Sequence, residues 1–182
     1  MDGPELRSEL EKQHAESYGW ALCCCARDRS QAEEVLQNAY LKVLQGKARY
    51  DGRAAFKTWF FGVIRRTAAE ERRRNLLRRM KHGLWRPRVV PAESPADALD
   101  RSQAQTLLGR AMQALPPRQY RVLQLVFYHG LSLAETAQVM AISIGSVRTH
   151  YARGKESVRR QLQEKSSDET GTGTRLVANV LW

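Results

Sequence analysis

One stretch of the chain admits few folds: Ser132 to Gln161, SLAETAQVMAISIGSVRTHYARGKESVRRQ. It predicts two helices joined by a tight turn. Ser132 with Glu135 three residues on is a capping-box pattern, in which hydroxyl and carboxylate satisfy N–H groups at a helix start. Ser143 is placed to cap the second helix. On a wheel of about 100° per residue, Val147, Tyr151, Gly154, Val158 and Leu162 make one apolar stripe. Thr149, Ala152, Arg153 and Glu156 point away from it, with Arg148 and Arg159 on its flank. A helix packed on one side and carrying small polar and basic groups on the other suits the major groove of DNA. The same wheel also describes an ordinary helical hairpin with a solvated basic face, so the rest of the chain has to decide.

Charge narrows the choice. The 182 residues carry 30 Lys and Arg against 19 Asp and Glu, a net charge of +11. A chain this basic usually meets a polyanion or an acidic partner. A hydrophobic content of 42% can build cores, which argues against wholesale disorder. No apolar run is long enough to span a bilayer. The start, MDGPELRSELEKQH, is unlike a signal peptide, so a cytoplasmic location is expected. The three cysteines are adjacent, Cys23 to Cys25, and on a helix they diverge by about 100° each, which prevents convergence on one metal. They read as small, partly buried side chains.

Upstream, residues from about Glu5 to Arg27 read as helical. DRS at 28–30 is a break, with Ser30 able to cap the next helix. In QAEEVLQNAYLKVLQ, residues Ala32, Val35, Leu36, Ala39, Tyr40 and Val43 share a core face. Glu34, Gln37, Asn38, Leu41 and Gln45 share the opposite face, and Leu41 is its one apolar member. An exposed leucine usually means nothing, but among polar neighbours it can also centre a docking patch. Gly46 ends the helix, and GKARYDGRAAF is a loop carrying Lys47, Arg49, Tyr50, Asp51 and Arg53. A basic loop with an aromatic suits capture of a nucleic-acid base.

The helix AFKTWFFGVIRRTAAEERRRNLLRRM follows. Phe56, Trp59, Phe60, Val63 and Ile64 are expected to face the core, with Thr58, Phe61 and Arg65 on the opposite side. Phe61 beside an arginine then looks like an exposed aromatic. From Arg65 onward the helix is strongly basic, with Glu70 and Glu71 its only acids, and such charges repel unless a polyanion neutralises them. Pattern is lost from His82 to Asp100, a stretch holding three of the six prolines, which reads as a linker. Helix resumes near Leu99 and runs toward Ala114; Pro116-Pro117 stops and restarts the chain. A helix from Arg118 to His129 ends at Gly130. The tail after Leu162 is rich in Ser, Thr and Gly and ends in the apolar LVANVLW, which could meet the chain itself or a partner. There are no internal repeats and no phosphate loop, metal cluster or nucleophile–base pair, and the four histidines are scattered. No enzymatic activity and no cofactor are expected.

Two of these stretches meet a family. LPPRQYRVLQLVFYHGLSLAETAQVMAISIGSVRTHYARGKESVRRQL resembles the C-terminal promoter-reading domain of bacterial sigma factors. DRSQAEEVLQNAYLKVLQ followed by FKTWFFGVIRRTAAEERRR resembles their N-terminal core domain. The pair, in this order and with one short linker, resembles the extracytoplasmic-function group of the sigma-70 family. The resemblance covers roughly residues 10–163.

It implies an all-α fold: two small helical domains joined by a flexible linker, the C-terminal one a helix-turn-helix. The boundaries expected are 5–82 for the core domain, 83–100 for the linker, 101–163 for the helix-turn-helix domain and 164–182 for the tail. It also implies that Glu34, Gln37, Asn38 and Leu41 dock on core RNA polymerase. Lys47, Arg49, Tyr50, Asp51 and Arg53 would capture a base flipped from the −10 element, while Phe61, Arg65, Arg66, Glu70 and Arg73 engage and melt that element. Ser146, Arg148, Thr149, His150 and Arg153 would face the −35 element. Promoter DNA and an anti-sigma factor are the further partners implied. This chain departs from the family pattern in places. An acid is usual where Asn38 sits, and an asparagine is common at Arg66. Glu70 and Glu71 replace a typical Asp-His pair, and His150 replaces a common arginine.

The function implied is that of an alternative sigma factor. The alternative is a stand-alone helix-turn-helix regulator, which would need neither the docking helix nor the aromatic-then-basic helix. A basic RNA-binding protein is a third reading.

Overall fold

A computed structural model describes residues 3–81 and 103–168. The predicted linker over 83–100 and the apolar LVANVLW segment lie outside the described residues. Among the described residues there are helices and no strands. In chain order the helices are α1 (Gly3–Lys12), α2 (His14–Cys24), α3 (Arg29–Leu44), α4 (Phe56–Lys81), α5 (Gln103–Gln113), α6 (Pro117–Leu123), α7 (Leu133–Met140) and α8 (Ile144–Asp168). One turn of π-helix, Gln124–Tyr128, extends α6. The described residues divide into two compact units: 3–81 with 134–142, and 103–133 with 143–168.

In the first unit α2, α3 and α4 pack against one another pairwise. The single helix expected over 5–27 is divided at Gln13 into α1 and α2. The cap of α3 is Asp28 rather than Ser30. Asp28 has extended backbone and its Oδ1 accepts from the Gln31 N–H at 3.0 Å. Its Oδ2 accepts from the Gln31 side chain at 2.9 Å, a two-bond clasp by which Asp28 starts the helix two residues early. Gly46 ends α3 with φ +68°, a conformation open to glycine at little cost. Ala32, Val35, Leu36, Ala39 and Val43 are buried as expected, while Tyr40 is half-buried. Burial raises the Tyr40 phenol above its ordinary pKa of 10.0, and its hydroxyl meets His14 Nδ1 at 3.0 Å. All three cysteines are buried and none is in a disulfide.

Two of the three residues expected opposite the core face of α4, Phe61 and Thr58, are buried too. Phe61 is fully buried and its ring stacks on Trp20 at 5.8 Å, while the Trp20 indole N–H donates to the Phe61 carbonyl at 3.0 Å. On the other side Phe60 stacks on Tyr40 at 5.4 Å. The reason is packing: α4 has α2 on one side and α3 on another, so its apolar arc is wider than a single partner needs. Thr58 is likewise buried, with its hydroxyl donating to Glu135 at 3.3 Å within the same unit. Arg72 Nη2 donates to the Cys24 carbonyl at 3.1 Å, satisfying an acceptor at the C-terminal end of α2.

In the second unit α8 packs on α5 and α6. Ala111, Leu115, Leu123 and Val158 are the buried centre, with Leu108, Met112, Tyr120, Tyr151 and Leu162 packed around them. A Cβ on Gly154 would stand 3.1 Å from Leu123 Cδ1 and 3.2 Å from its Cγ, so α6 and α8 approach this closely only because residue 154 has no side chain. Pro117 opens α6 in its first turn, where a missing N–H costs nothing. Gly130, with φ +68°, follows the π-turn. α8 continues past Leu162 to Asp168.

The turn between α7 and α8 is local geometry. Ala141 takes φ +49°, and the N–H groups of Ala141 and Ile142 reach back to Gln138 and Ala137 carbonyls at 3.2 Å each. This is a Schellman ending with alanine in the position glycine usually holds. Ser143 Oγ then accepts from the Ser146 N–H at 3.2 Å, the cap expected for α8.

Candidate functional site

Three surfaces carry the residues singled out by sequence. The first is the outward face of α3. Glu34 and Gln37 are exposed, and Leu41 is 49% exposed. Leu44, also 49% exposed, lies one turn beyond Leu41 and widens the apolar patch. Sequence reasoning passed over Leu44, although its spacing of three from Leu41 was available. Asn38 is only partly exposed, because its side-chain amide is engaged with Glu71 Oε1 at 3.2 Å.

The second surface is a cleft of about 400 Å³ between the loop after α3 and the middle of α4. Lys47 and Arg49 from the loop, Lys42 from α3, and Trp59, Arg66 and Glu70 from α4 line it. The structure thus brings together Lys47, Arg49, Arg66 and Glu70. Lys42 Nζ donates to Glu70 at 2.5 Å and to Thr67 Oγ1 at 3.0 Å, which ties one wall of the cleft to the α3–α4 packing. Lys42 was missed by sequence because only the packing of α3 on α4 brings it here. Trp59, expected in the core, is half-exposed and faces the cleft.

The other residues of the predicted −10 set are not gathered there. Tyr50 packs edge-on against Phe56 at 5.4 Å and against Trp59 at 5.2 Å, and its hydroxyl donates to the Ala54 carbonyl at 2.6 Å. Its ring packs on Trp59, and its hydroxyl proton is engaged by the chain itself. Asp51 and Arg53 are exposed and pair with each other at 3.4 Å. Arg65 Nε donates to the Val139 carbonyl at 2.6 Å within the first unit. Arg73 is exposed. Phe61 is the clear correction: as a fully buried partner of Trp20 it has no surface to offer DNA.

The third surface is the N-terminal half of α8. Ser146, Arg148, Thr149 and Arg153 are exposed and His150 is partly so, while Val147, Gly154 and Val158 are buried on the other side. The stripe expected from the wheel is therefore the one observed. Cations at the helix surface would contact phosphates or base edges of a duplex laid against it. Among the described residues no three His, Cys, Asp or Glu side chains stand together as a metal site, and no helix is long and apolar enough to cross a membrane.

The structure thus presents two helical units, one with a cationic aromatic cleft and one with an outward polar and basic helix. Comparison with known proteins places it further. Residues 13–78 match the family profile Sigma-70 region 2, and residues 105–158 match Sigma-70, region 4. Similar proteins include RNA polymerase sigma-H factor of Pseudomonas aeruginosa, 26% identical over 156 residues and covering 75% of each chain. ECF RNA polymerase sigma factor SigX of Bacillus subtilis is 26% identical over 142 residues, covering 75% of this chain and 73% of its own. RNA polymerase sigma factor CarQ of Myxococcus xanthus is 29% identical over 160 residues, covering 86% and 88% respectively. The fold is similar to that of the sigma factor RpoE solved in complex with the anti-sigma factor NepR from Bartonella quintana. That similarity has a TM-score of 0.67 at 17% identity, over 87% of this chain and 97% of that one. The chain belongs to the sigma-70 family, in its extracytoplasmic-function group.

Proposed function

We propose that this alternative sigma factor divides its work among the three surfaces. The exposed stripe of α3, centred on Leu41 and Leu44 with Glu34 and Gln37 beside them, docks on core RNA polymerase. The cleft over α4 receives a base flipped out of the −10 element. Extruding a base costs a few kcal/mol, and stacking on an aromatic returns about 1–3 kcal/mol per base. Trp59 is the aromatic for that stack, with Lys47, Arg49 and Arg66 positioned for the adjoining phosphates. The outward stripe of α8 reads the −35 element through Ser146, Arg148, Thr149, His150 and Arg153. Residues 5–82 and 101–163 are then the two working domains. The protein works in the cytoplasm, where polymerase and promoters are, and an anti-sigma factor holds it inactive. The similar RpoE chain, solved with NepR, supports that last element.

The observation that carries this reading is the cleft itself, a volume of about 400 Å³ that combines an aromatic wall with cations. The test mixes purified full-length chain with core RNA polymerase, then runs transcription on genomic fragments. Co-elution and discrete run-off products are expected. Failure to co-elute overturns the polymerase assignment.

A further inference from the structure

Thr149 sits in the middle of the outward stripe of α8. Ser146 is three residues before it and Arg153 four after, so all three lie along one line of the helix surface. It also falls within the first two turns after Ile144, the part of a recognition helix that reaches base edges. Its hydroxyl is not turned outward. Thr149 Oγ1 donates to the Gly145 carbonyl one turn back, at 3.0 Å. A hydroxyl has one proton, so Thr149 cannot also donate to a base. With the oxygen folded against its own helix, the group left facing out is the γ-methyl. Its neighbours on the stripe differ. Ser146 Oγ shares a hydrogen bond with Ser143 Oγ at 3.0 Å and has no methyl, and Arg153 is a cation.

We infer that Thr149 is a specificity-determining residue that recognises the C5-methyl of a thymine in the −35 element, by apolar contact and not by donating a hydrogen bond. This rests on the reading that α8 enters the major groove of that element. The chemistry follows from the groove: thymine alone among the four bases presents a methyl there. Removing one buried methyl-sized group is worth about 0.8 kcal/mol, or roughly a fourfold change in binding. The back-bonded hydroxyl acts indirectly, by holding the methyl in one rotamer.

The test uses holoenzyme, reconstituted from full-length chain and core polymerase, on a promoter fragment selected by the run-off experiment. Each thymine of the −35 element is replaced singly by deoxyuridine, which removes only the methyl. One replacement is expected to weaken binding roughly fourfold, the others little. Thr149→Ser keeps the hydroxyl and removes the methyl, and should bind thymine and deoxyuridine fragments equally at that position. Thr149→Val keeps a methyl and removes the hydroxyl, and should still prefer thymine. A thymine preference that survives in Thr149→Ser, or is lost in Thr149→Val, overturns the inference. So does a −35 element with no thymine whose methyl matters. If Arg148→Ala and Arg153→Ala also leave promoter binding unchanged, the reading of α8 as the recognition helix falls instead.

Discussion

Asn38 on α3 and Glu71 on α4 form a matched pair. Asn38 Nδ2 donates to Glu71 Oε1 at 3.2 Å, and Arg74 reaches the same oxygen at 2.9 Å. Glu71 is 7% exposed, so its carboxylate depends on these donors. The amide at position 38 and the carboxylate at position 71 are thus complementary. One supplies the proton that the other needs.

Asn38→Asp is therefore expected to destabilise the first unit by about 1–3 kcal/mol, since it removes a donor and sets two carboxylates together. Asn38→Asp with Glu71→Gln should recover most of that loss, because the amide then sits on the other side. Urea unfolding midpoints of the two variants at neutral pH check this; equal midpoints would show the pair to be energetically idle.

Leu41→Asp should abolish co-elution with core RNA polymerase while leaving stability within about 0.5 kcal/mol, as befits a surface position. Leu44→Asp should weaken co-elution in the same sense. Size-exclusion chromatography with core polymerase, beside thermal unfolding of the free chain, separates docking from folding. Undiminished binding by Leu41→Asp would remove α3 from the docking surface.

Phe61→Ala is expected to destabilise the chain by about 3–5 kcal/mol, the range for truncating a buried aromatic. The milder Phe61→Leu should lower the unfolding midpoint yet leave promoter opening per folded molecule unchanged. Permanganate reactivity of unpaired thymines in the −10 element gives the second quantity. A Phe61→Leu variant that stays stable but fails to open the duplex would return Phe61 to the DNA-contacting set.

At Gly154 two effects of alanine oppose each other. Helix propensity favours alanine by about 0.5–1 kcal/mol, whereas crowding a packed contact costs about 1–3 kcal/mol. The contact includes Leu123 Cγ at 3.2 Å, an atom near the backbone that cannot simply swing aside. A net loss of about 1 kcal/mol is expected for Gly154→Ala. Thermal denaturation reads it, and a rise in midpoint would mean that α6 and α8 separate freely.

Much of the site was legible because its cues are local. The spacing of Glu34, Gln37 and Leu41 put them on one face of α3, and they are exposed there. The stripe of Val147, Gly154 and Val158 predicted which side of α8 turns inward, and Ser143 caps that helix as expected. Phe61 failed for a definite reason. A wheel assumes one buried face, and α4 has two partners. Tyr50 was read as a base-stacking group, but its hydroxyl closes on Ala54 and its ring packs on Trp59. Aromatic content alone does not distinguish a platform from the side chain that supports it.

The sequence by itself determined most of the helices, the Ser143 cap of α8, the outward residues of α3 and α8 and the family. Periodicity and capping are set by residues within about two turns of each other. Tertiary structure decided three things: the burial of Phe61 under Trp20, the cleft that joins Lys42 to Trp59 and Arg49, and the pairing of Asn38 with Glu71. Each depends on partners far apart in the chain, 41 residues for Trp20 and Phe61 and 33 for Asn38 and Glu71. Such partners meet only after burial of apolar surface has packed α2, α3 and α4 together, so no local pattern could announce them.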